Sequence, residues 1–336
     1  MAENPTIVFR SPGEVAVEER GVREPSSGEV LIRTQVSLIS TGTELTLLSG
    51  RFPPGSSWAR YAAYPTAAGY SNCGEVVATG SGVDPSWRGR RVCAFKPHAA
   101  FVTASLGELH PVPDGVSDEH ASFFAIGIIV MNGVRRAKIQ WGESAAIVGL
   151  GLLGQFAVRF CLLAGARPVI GIDLAESRLR LLPNHPACAG VSPSKEDSVA
   201  RVRSETTGRM ADSVFEVTGD PDLIAGEFAL LRRQGRLVIL SSPRGPSSVD
   251  FHDFVNAPSV TVIGAHQMSH PPHENPEDPW TKQRNTELFF RHILDKDIDC
   301  GALISHRFQA VSEGPRAYRM LLEDRSAAMG VLLVWQ

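Results

Sequence analysis

Two rhythms of apolar and polar positions divide the chain. Up to about residue 115 the apolar residues fall in short runs, at 6–9, 15–17, 30–39, 74–79, 91–95 and 100–103. Clusters of turn-formers separate them, such as Pro25, Ser26, Ser27 and Gly28. Short runs with Gly, Pro, Ser and Asp between them predict an antiparallel, barrel-like β domain. Ser117, followed by Asp118, Glu119 and His120, resembles a helix cap, and helical spacing then runs through 121–139. From Glu143 the pattern alternates. Apolar runs at 145–148, 168–172, 187–191, 213–217, 236–240 and 260–264 are interleaved with helical stretches, one of them 221–233. Alternation of this kind predicts a parallel sheet. A further helix is expected at 281–295, and the tail (302–308 and 331–335) returns to strand. The expected organisation is therefore α/β, with a β domain from 1–124 and 284–336 and a doubly wound parallel-sheet domain from 125–283.

The sharpest signal lies where the rhythm changes. An apolar run, Ala145 to Val148, meets Gly149, Leu150, Gly151, Leu152, Leu153 and Gly154; a helical pattern and a second apolar run ending in Asp173 follow. Strand, glycine turn, helix, strand and acid together make a dinucleotide fingerprint. Gly149 permits the tight turn, and Gly151 lets backbone approach a pyrophosphate that suits the positive end of the following helix. Gly154 allows the helix to pack close on the strand. Asp173, nineteen residues beyond Gly154, falls where a carboxylate accepts hydrogen bonds from ribose hydroxyls. A 2′-phosphate there meets like charge, so NAD(H) is expected, and NADP(H) less so. Gly149, Gly151, Leu152, Leu153, Gly154 and Asp173 are thus candidate cofactor residues.

Composition narrows the field without adding a function. The 336 residues suit two domains, and 43% hydrophobic with 21% charged residues is ordinary for a globular protein. A net charge of −3 gives no electrostatic case for nucleic acid or an anionic membrane. No apolar run reaches the roughly 18 residues of a spanning helix, and no signal-peptide core opens the chain, so a cytoplasmic location is expected. The five cysteines are scattered and none has CxxC spacing, which predicts neither a disulfide framework nor a cysteine-rich zinc knuckle.

Several segments along nearly the whole chain resemble the medium-chain dehydrogenase/reductase family. They are the runs 28–33, 40–45 (STGTEL), 74–80 and 89–93, and later 215–219 (FEVTG), 235–240 and 304–308. The resemblance implies a GroES-like catalytic domain, a Rossmann domain and a cleft between them. It also exposes departures. Zinc-dependent members place Cys where Thr41 stands, His and Glu where Tyr70 and Ser71 stand, and a third ligand near Ala125. Thr, Tyr and Ala cannot make a three-ligand zinc site, and no cysteine cluster follows Cys93. No zinc is therefore expected. The segments 40–44 and 69–71 are similar to a zinc-lacking branch that includes hydroxyethyl bacteriochlorophyllide dehydrogenases, from which the reaction type, oxidation of a secondary alcohol, carries over and the substrate does not.

Without a metal, hydrogen-bond donors must stabilise the charge developing on the reacting oxygen, and a base must take its proton. Tyr70, at the former His position, is a candidate contact to that oxygen, or else an aromatic wall. Thr43 matches a hydroxyl that relays the substrate proton in the family, or is a turn residue. Glu44 holds local structure or is the base, and Thr41 lines the cleft. Lys96 offers a point charge for an alkoxide and His98 a group that titrates in the useful range, against the alternative that each is structural. Beyond the last Rossmann strand, His266 and His270 are either acid/base groups of a polar substrate loop or bystanders in a Pro-rich loop. The Pro271–Pro272 pair keeps these histidines off one helical face and argues against a metal site. Trp280 and Arg284 are candidates for the same substrate loop. Arg178 is placed to stack on adenine or to face solvent. Thr218, Gly219, Ser241 and Ser242 end later strands, where the dinucleotide crosses the sheet edge. Arg201, Arg203, Arg232 and Arg233 read as solvated helix faces.

The expectation is an NAD-dependent, zinc-independent oxidoreductase acting on a polar secondary alcohol or ketone, sugar- or polyol-like or a natural-product intermediate. A homodimer is expected through edge pairing at 258–264. Two alternatives remain: an NAD(P)H-dependent quinone or enone reductase, and a non-catalytic NAD(H)-binding protein.

Overall fold

The computed structural model describes residues 3–335. Along the chain come β1 (Glu3–Ser11), β2 (Glu14–Gly21), β3 (Glu29–Leu38), the helices α1 (Thr43–Ser49) and α2 (Ser57–Tyr61), then β4 (Thr66–Ala67), β5 (Asn72–Thr79), β6 (Arg91–Ala94), β7 (Phe101–Ser105) and β8 (His110–Pro111). Helices α3 (Asp118–Ala121) and α4 (Phe124–Ala137) follow. The alternating part contains β9 (Ala145–Val148), α5 (Leu152–Leu163), β10 (Val169–Ile172), α6 (Glu176–Leu179), β11 (Cys188–Val191), α7 (Ser198–Glu205), β12 (Ala211–Glu216), α8 (Ile224–Glu227), β13 (Leu231–Ile239) and β14 (Thr261–Gly264). The chain ends with α9 (Lys282–Leu294), β15 (Ile304–Gln309), α10 (Ala310–Glu323) and β16 (Gly330–Val334).

Two compact units result: Met1–Ile126 with Thr286–Gln336, and Gly127–Asn285. In the first, a seven-stranded sheet pairs β3 with β5, β16 and β7, mostly antiparallel, beside a small sheet in the order β2-β1-β4. Period-two alternation and short turns specify this arrangement, as the first rhythm of the sequence predicts. Its core closes Ile7 and Phe9 of β1 against Tyr318 and Leu321 of α10, with Leu45 and Leu48 of α1 and Leu333 of β16. The Phe9 and Tyr318 rings meet edge to face at 5.2 Å.

The second unit is a six-stranded parallel sheet in the order β11-β10-β9-β12-β13-β14. Strand order reverses between β9 and β12, and in open α/β sheets ligands bind at that switch point, beyond the carboxyl ends of the strands. The fold is thus a GroES-like domain joined to a Rossmann sheet.

One expectation needs correction. The helix read over 221–233 stops early: α8 ends at Glu227, a single 3₁₀ turn covers Phe228–Leu230, and β13 starts at Leu231. Arg232 and Arg233 are therefore strand residues, Arg232 donating to Asp212 on β12 and Arg233 to the Ala257 carbonyl. The helical stretch expected at 121–139 is α4, and the short α3 before it is capped by Ser117 as expected. Between the two tail strands lies α10, which Gly314 and Pro315 disguise, since both read as breakers. Packing of Ala317, Tyr318 and Leu321 into the core holds it.

Candidate active site

The Gly-rich turn joins β9 to α5, and its geometry explains each glycine at the end of that strand. Gly149 has φ +96°, a conformation L side chains rarely adopt. A Cβ on Gly154 would lie 1.9 Å from the Gly149 carbonyl oxygen, so only glycine lets α5 close on the turn. Gly151, the residue just before α5, has open space around its missing Cβ. Room beside the N–H groups of a 12-residue helix fits a pyrophosphate. Leu152 is buried and Leu153 half-buried at the helix start.

Asp173 follows β10 and is nearly buried. One carboxylate oxygen accepts from the Leu150 N–H of the turn at 2.7 Å, the other from the Ala175 N–H at 2.8 Å, and an Arg178 terminal nitrogen lies 3.3 Å from the first. A carboxylate has about four lone-pair sites, so acceptor capacity remains for ribose hydroxyls. The acid therefore braces the turn that would carry the pyrophosphate. Arg178, on α6, is held to Asp173 by that ion pair.

On the other side of the switch point a buried carboxylate gathers the strand ends. Glu216, fully buried at the end of β12, accepts from the Thr218 N–H and hydroxyl at 2.6 Å, from the Gly219 N–H at 2.9 Å and from the Ser241 hydroxyl. Thr218, Gly219 and Ser241 are thus one assembly; Ser242 is exposed beside it. Glu216 lay in the FEVTG segment but drew no attention as a site residue, because a carboxylate there reads as strand. A second acid, Glu227, is also buried, and neither of its oxygens has a hydrogen-bond partner. Burial, with the Glu216 charge adding, pushes its carboxyl up to about 9.

The first unit carries a different cluster where α1 begins. The Tyr70 hydroxyl donates to the Ser40 hydroxyl at 2.7 Å, and its ring stacks on Phe95 at 6.3 Å. Burial raises the phenol above its ordinary value, while the bond to Ser40 opposes the shift; Thr43 also bears on it. Glu44, buried, accepts from the Ser40 N–H at 2.7 Å on one oxygen, while its other oxygen accepts from Tyr318 on α10 and is 3.1 Å from His98 Nε2. The His98 ring lies over Gly69, where a Cβ would come within 2.3 Å. Ser40 and Tyr318 are members the sequence did not reveal.

This cluster brings Thr43 to Tyr70 and, through Ser40, links Tyr70 to Glu44 and His98. It does not include Lys96, whose ammonium pairs with Glu108 at 2.8 Å. Thr41 is half-buried before α1, Ser71 is bonded to the Ser122 carbonyl, and Ala125 is wholly buried. Hydroxyls and a methyl group at these positions do not fit zinc, which takes nitrogen, sulfur or carboxylate donors. Among the described residues no three His, Cys, Asp or Glu side chains gather closely enough to hold a metal ion.

Beyond β14, His266 and His270 part company. His266 is exposed, its Nδ1 accepting from the Met268 N–H, whereas His270 is buried and bonded to the Gln267 carbonyl. Burial, with Lys282 adding, lowers the His270 imidazole. Trp280 and Arg284 lie together, the guanidinium carbon 4.2 Å from the ring centroid.

Comparison with known proteins finds likenesses of sequence and fold. Residues 153–279 match the family model described as zinc-binding dehydrogenase. D-guloside 3-dehydrogenase of Escherichia coli K12 is 24% identical over 97% of this chain and 99% of its own. L-galactonate-5-dehydrogenase of the same strain is 22% identical over 97% and 98%. The structure of a short chain alcohol dehydrogenase from Escherichia coli CFT073, complexed with NADH, superposes with a TM-score of 0.83 at 16% identity, covering 99% of this chain and 100% of that one. By these likenesses the chain is similar to medium-chain, zinc-type alcohol dehydrogenases along nearly its whole length. It is a dehydrogenase. No helix among the described residues is long and apolar enough to cross a membrane.

Proposed function

We propose that this dehydrogenase uses NAD(H), works without zinc, and interconverts a polar secondary alcohol, of sugar or polyol type, and its ketone. The observation that carries the reading is Asp173, nearly buried and bonded to the Gly-rich turn, where it can take ribose hydroxyls and would repel a 2′-phosphate. Gly149, Gly151, Gly154 and Asp173 would hold the adenosine and pyrophosphate; Thr218, Gly219 and Ser241 would border the other half. When bound, the nicotinamide accepts or returns the hydride. Names of full-length relatives, a guloside and a galactonate dehydrogenase, support a sugar-like substrate.

The chain's own residues manage the proton. Tyr70, kept protonated by burial, donates to the reacting oxygen in the reducing direction. In the oxidising direction the hydroxyl proton passes to Tyr70 as the phenol hands its own proton on through the Ser40 or Thr43 hydroxyl beside it to bulk water. Glu44 and His98 position that chain by fixing Ser40 and the strap before Tyr70. The hydroxyl and methyl side chains at Thr41, Tyr70 and Ala125 support the zinc-free reading. Pairing of β14 edges across a two-fold axis would give a homodimer; a monomer in light scattering argues against it.

The test is a steady-state panel of polyols and sugars with NAD⁺ and NADP⁺, run beside enones with NADPH, on protein assayed for metal. Turnover of a secondary alcohol with NAD⁺ by metal-free protein is expected. One tightly held zinc per chain, or turnover of enones alone, overturns the reading. Tyr70→Phe should lower kcat roughly 100-fold, and unchanged turnover removes Tyr70 from the mechanism.

A further inference from the structure

Glu216 ends β12 with no exposed surface, and donors reach both oxygens of its carboxylate. One oxygen accepts from the Thr218 N–H and hydroxyl at 2.6 Å and from the Gly219 N–H at 2.9 Å. The other accepts from the Ser241 hydroxyl. Its backbone carbonyl accepts too, from the Leu240 N–H at 3.1 Å and the Ser241 N–H at 3.0 Å. One residue therefore ties the turn after β12 to the segment after β13, the strand paired beside it. Burying an ionised carboxylate is costly unless donors supply its oxygens. Here they do.

The turn so held lies directly against the Gly-rich turn of the same unit. A Cβ on Gly149 would meet the Thr218 methyl carbon at 3.0 Å and the Thr218 nitrogen at 3.1 Å. The Thr218 hydroxyl donates to Glu216 and accepts from the Asp220 N–H at 2.9 Å, so its methyl is the part turned to Gly149. Gly219 follows at φ +68°, and its carbonyl accepts from the Arg244 N–H at 3.2 Å. Without the carboxylate, the Thr218 and Gly219 donors lose their acceptor and the turn its register against Gly149.

The two adjoining turns offer opposite chemistry. At the start of α5 the backbone N–H groups are open to a phosphate. The N–H groups of Thr218 and Gly219 are spent on Glu216 and cannot cradle an anion. A dinucleotide lying across the switch point has its adenosine beside Asp173 at the end of β10 and its other end on the β12 and β13 side. That other end, the nicotinamide riboside, carries no phosphate beyond the pyrophosphate itself. A turn of spent donors suits it.

We propose that Glu216 is a positioning residue for the dinucleotide. By tying the Thr218–Gly219 turn to Ser241 it fixes the seat of the nicotinamide riboside half, without itself touching the cofactor. The role rests on the NAD(H) reading, since the seat is one for that cofactor. It differs from a purely structural role in one respect: its loss should weaken one half of the dinucleotide and spare the other.

The full chain and its variants would be titrated calorimetrically with NADH and, separately, with ADP, which spans the adenosine and pyrophosphate seats and stops there. Glu216→Ala should bind NADH about tenfold more weakly and ADP within about twofold of the original. Glu216→Gln should recover most of the NADH affinity, because its side-chain oxygen still accepts from the Thr218 and Gly219 N–H groups. Should Glu216→Ala fail to fold, Ser241→Ala removes only the side-chain bond between the two segments. It should weaken NADH about threefold and leave ADP unchanged. Equal weakening of NADH and ADP, or NADH affinity unchanged in the variants, overturns the proposal. An unaltered protein that binds neither NADH nor ADP would instead overturn the NAD(H) reading beneath it.

Discussion

The Gly-rich turn after β9 and the hydroxyl cluster at the start of α1 are built in opposite ways. The turn is made of backbone: its glycines and the N–H groups beside them lie within six residues, and Asp173 braces them from the next strand. The cluster is made of side chains drawn from distant positions, with Ser40, Glu44, Tyr70, His98 and Tyr318 meeting through hydrogen bonds. A site of backbone tolerates little but glycine and is written as a local word. A site of side chains needs the whole unit folded before it exists. The same contrast separates two buried carboxylates. Glu44 accepts from Ser40, Tyr318 and His98, whereas Glu227 has no partner for either oxygen. A buried acid with donors anchors structure, and one without them stays protonated at a cost in stability.

The largest effect expected is at the turn. Gly154→Val would drive a side chain into the Gly149 carbonyl, which already lies 1.9 Å from an ideal Cβ. NADH affinity measured by fluorescence titration should fall at least about 100-fold; an affinity within threefold of the original would mean that the turn does not carry the cofactor.

Removing the satisfied carboxylate comes next. Glu44→Ala leaves the Ser40 N–H, the Tyr318 hydroxyl and His98 without their acceptor. Stability in urea should fall by about 3 kcal/mol. Tyr318→Phe added to that variant should recover part of it, since it removes one stranded donor. A loss below about 0.5 kcal/mol would show that the network is not an anchor.

The unsatisfied carboxylate should behave in the reverse sense and with pH. Glu227 is held up at about 9 in the folded chain, against 4.5 as an ordinary carboxyl. Below the lower value both folded and unfolded chains carry the proton, and its contribution is complete. As pH rises from there towards 9 the unfolded chain ionises first, so stability is lost across that window. Glu227→Gln should therefore match the original protein near pH 5 and exceed it at pH 8 by about 1–2 kcal/mol. Equal stability at both pH values, followed by thermal unfolding, would show that Glu227 ionises freely.

The smallest effect concerns cofactor choice. Asp173→Asn keeps much of the bracing geometry but removes the charge facing a 2′-phosphate. The preference for NAD⁺ over NADP⁺ in kcat/KM should narrow about tenfold, Arg178 being already at hand beside the position. An unchanged ratio would place the discrimination elsewhere.

Much of the fold was legible because period-two and helical spacings report which face of a short element is buried. The parallel sheet was read from alternation alone, and its strands lie within a few residues of their expected places. The reading failed where tertiary contacts override spacing. Leu223, Ile224, Phe228 and Leu231 have helical separation, but pairing with β12 draws the chain into β13 at Leu231. Histidines were harder still. His98 and His270 are buried beside Glu44 and Gln267, and His266 is exposed, a division that composition does not contain.

The sequence by itself determined the glycine turn after β9 and the residue types at Thr41, Tyr70 and Ala125, because glycine turns act locally and donor chemistry is a matter of residue type. Only the tertiary structure decided that Glu44 is held by Tyr318, 274 residues away, and that Arg135 and Arg284 both lie over the Trp280 ring. Such groupings depend on where whole helices dock, and docking is set by the summed burial of many apolar residues rather than by any local spacing.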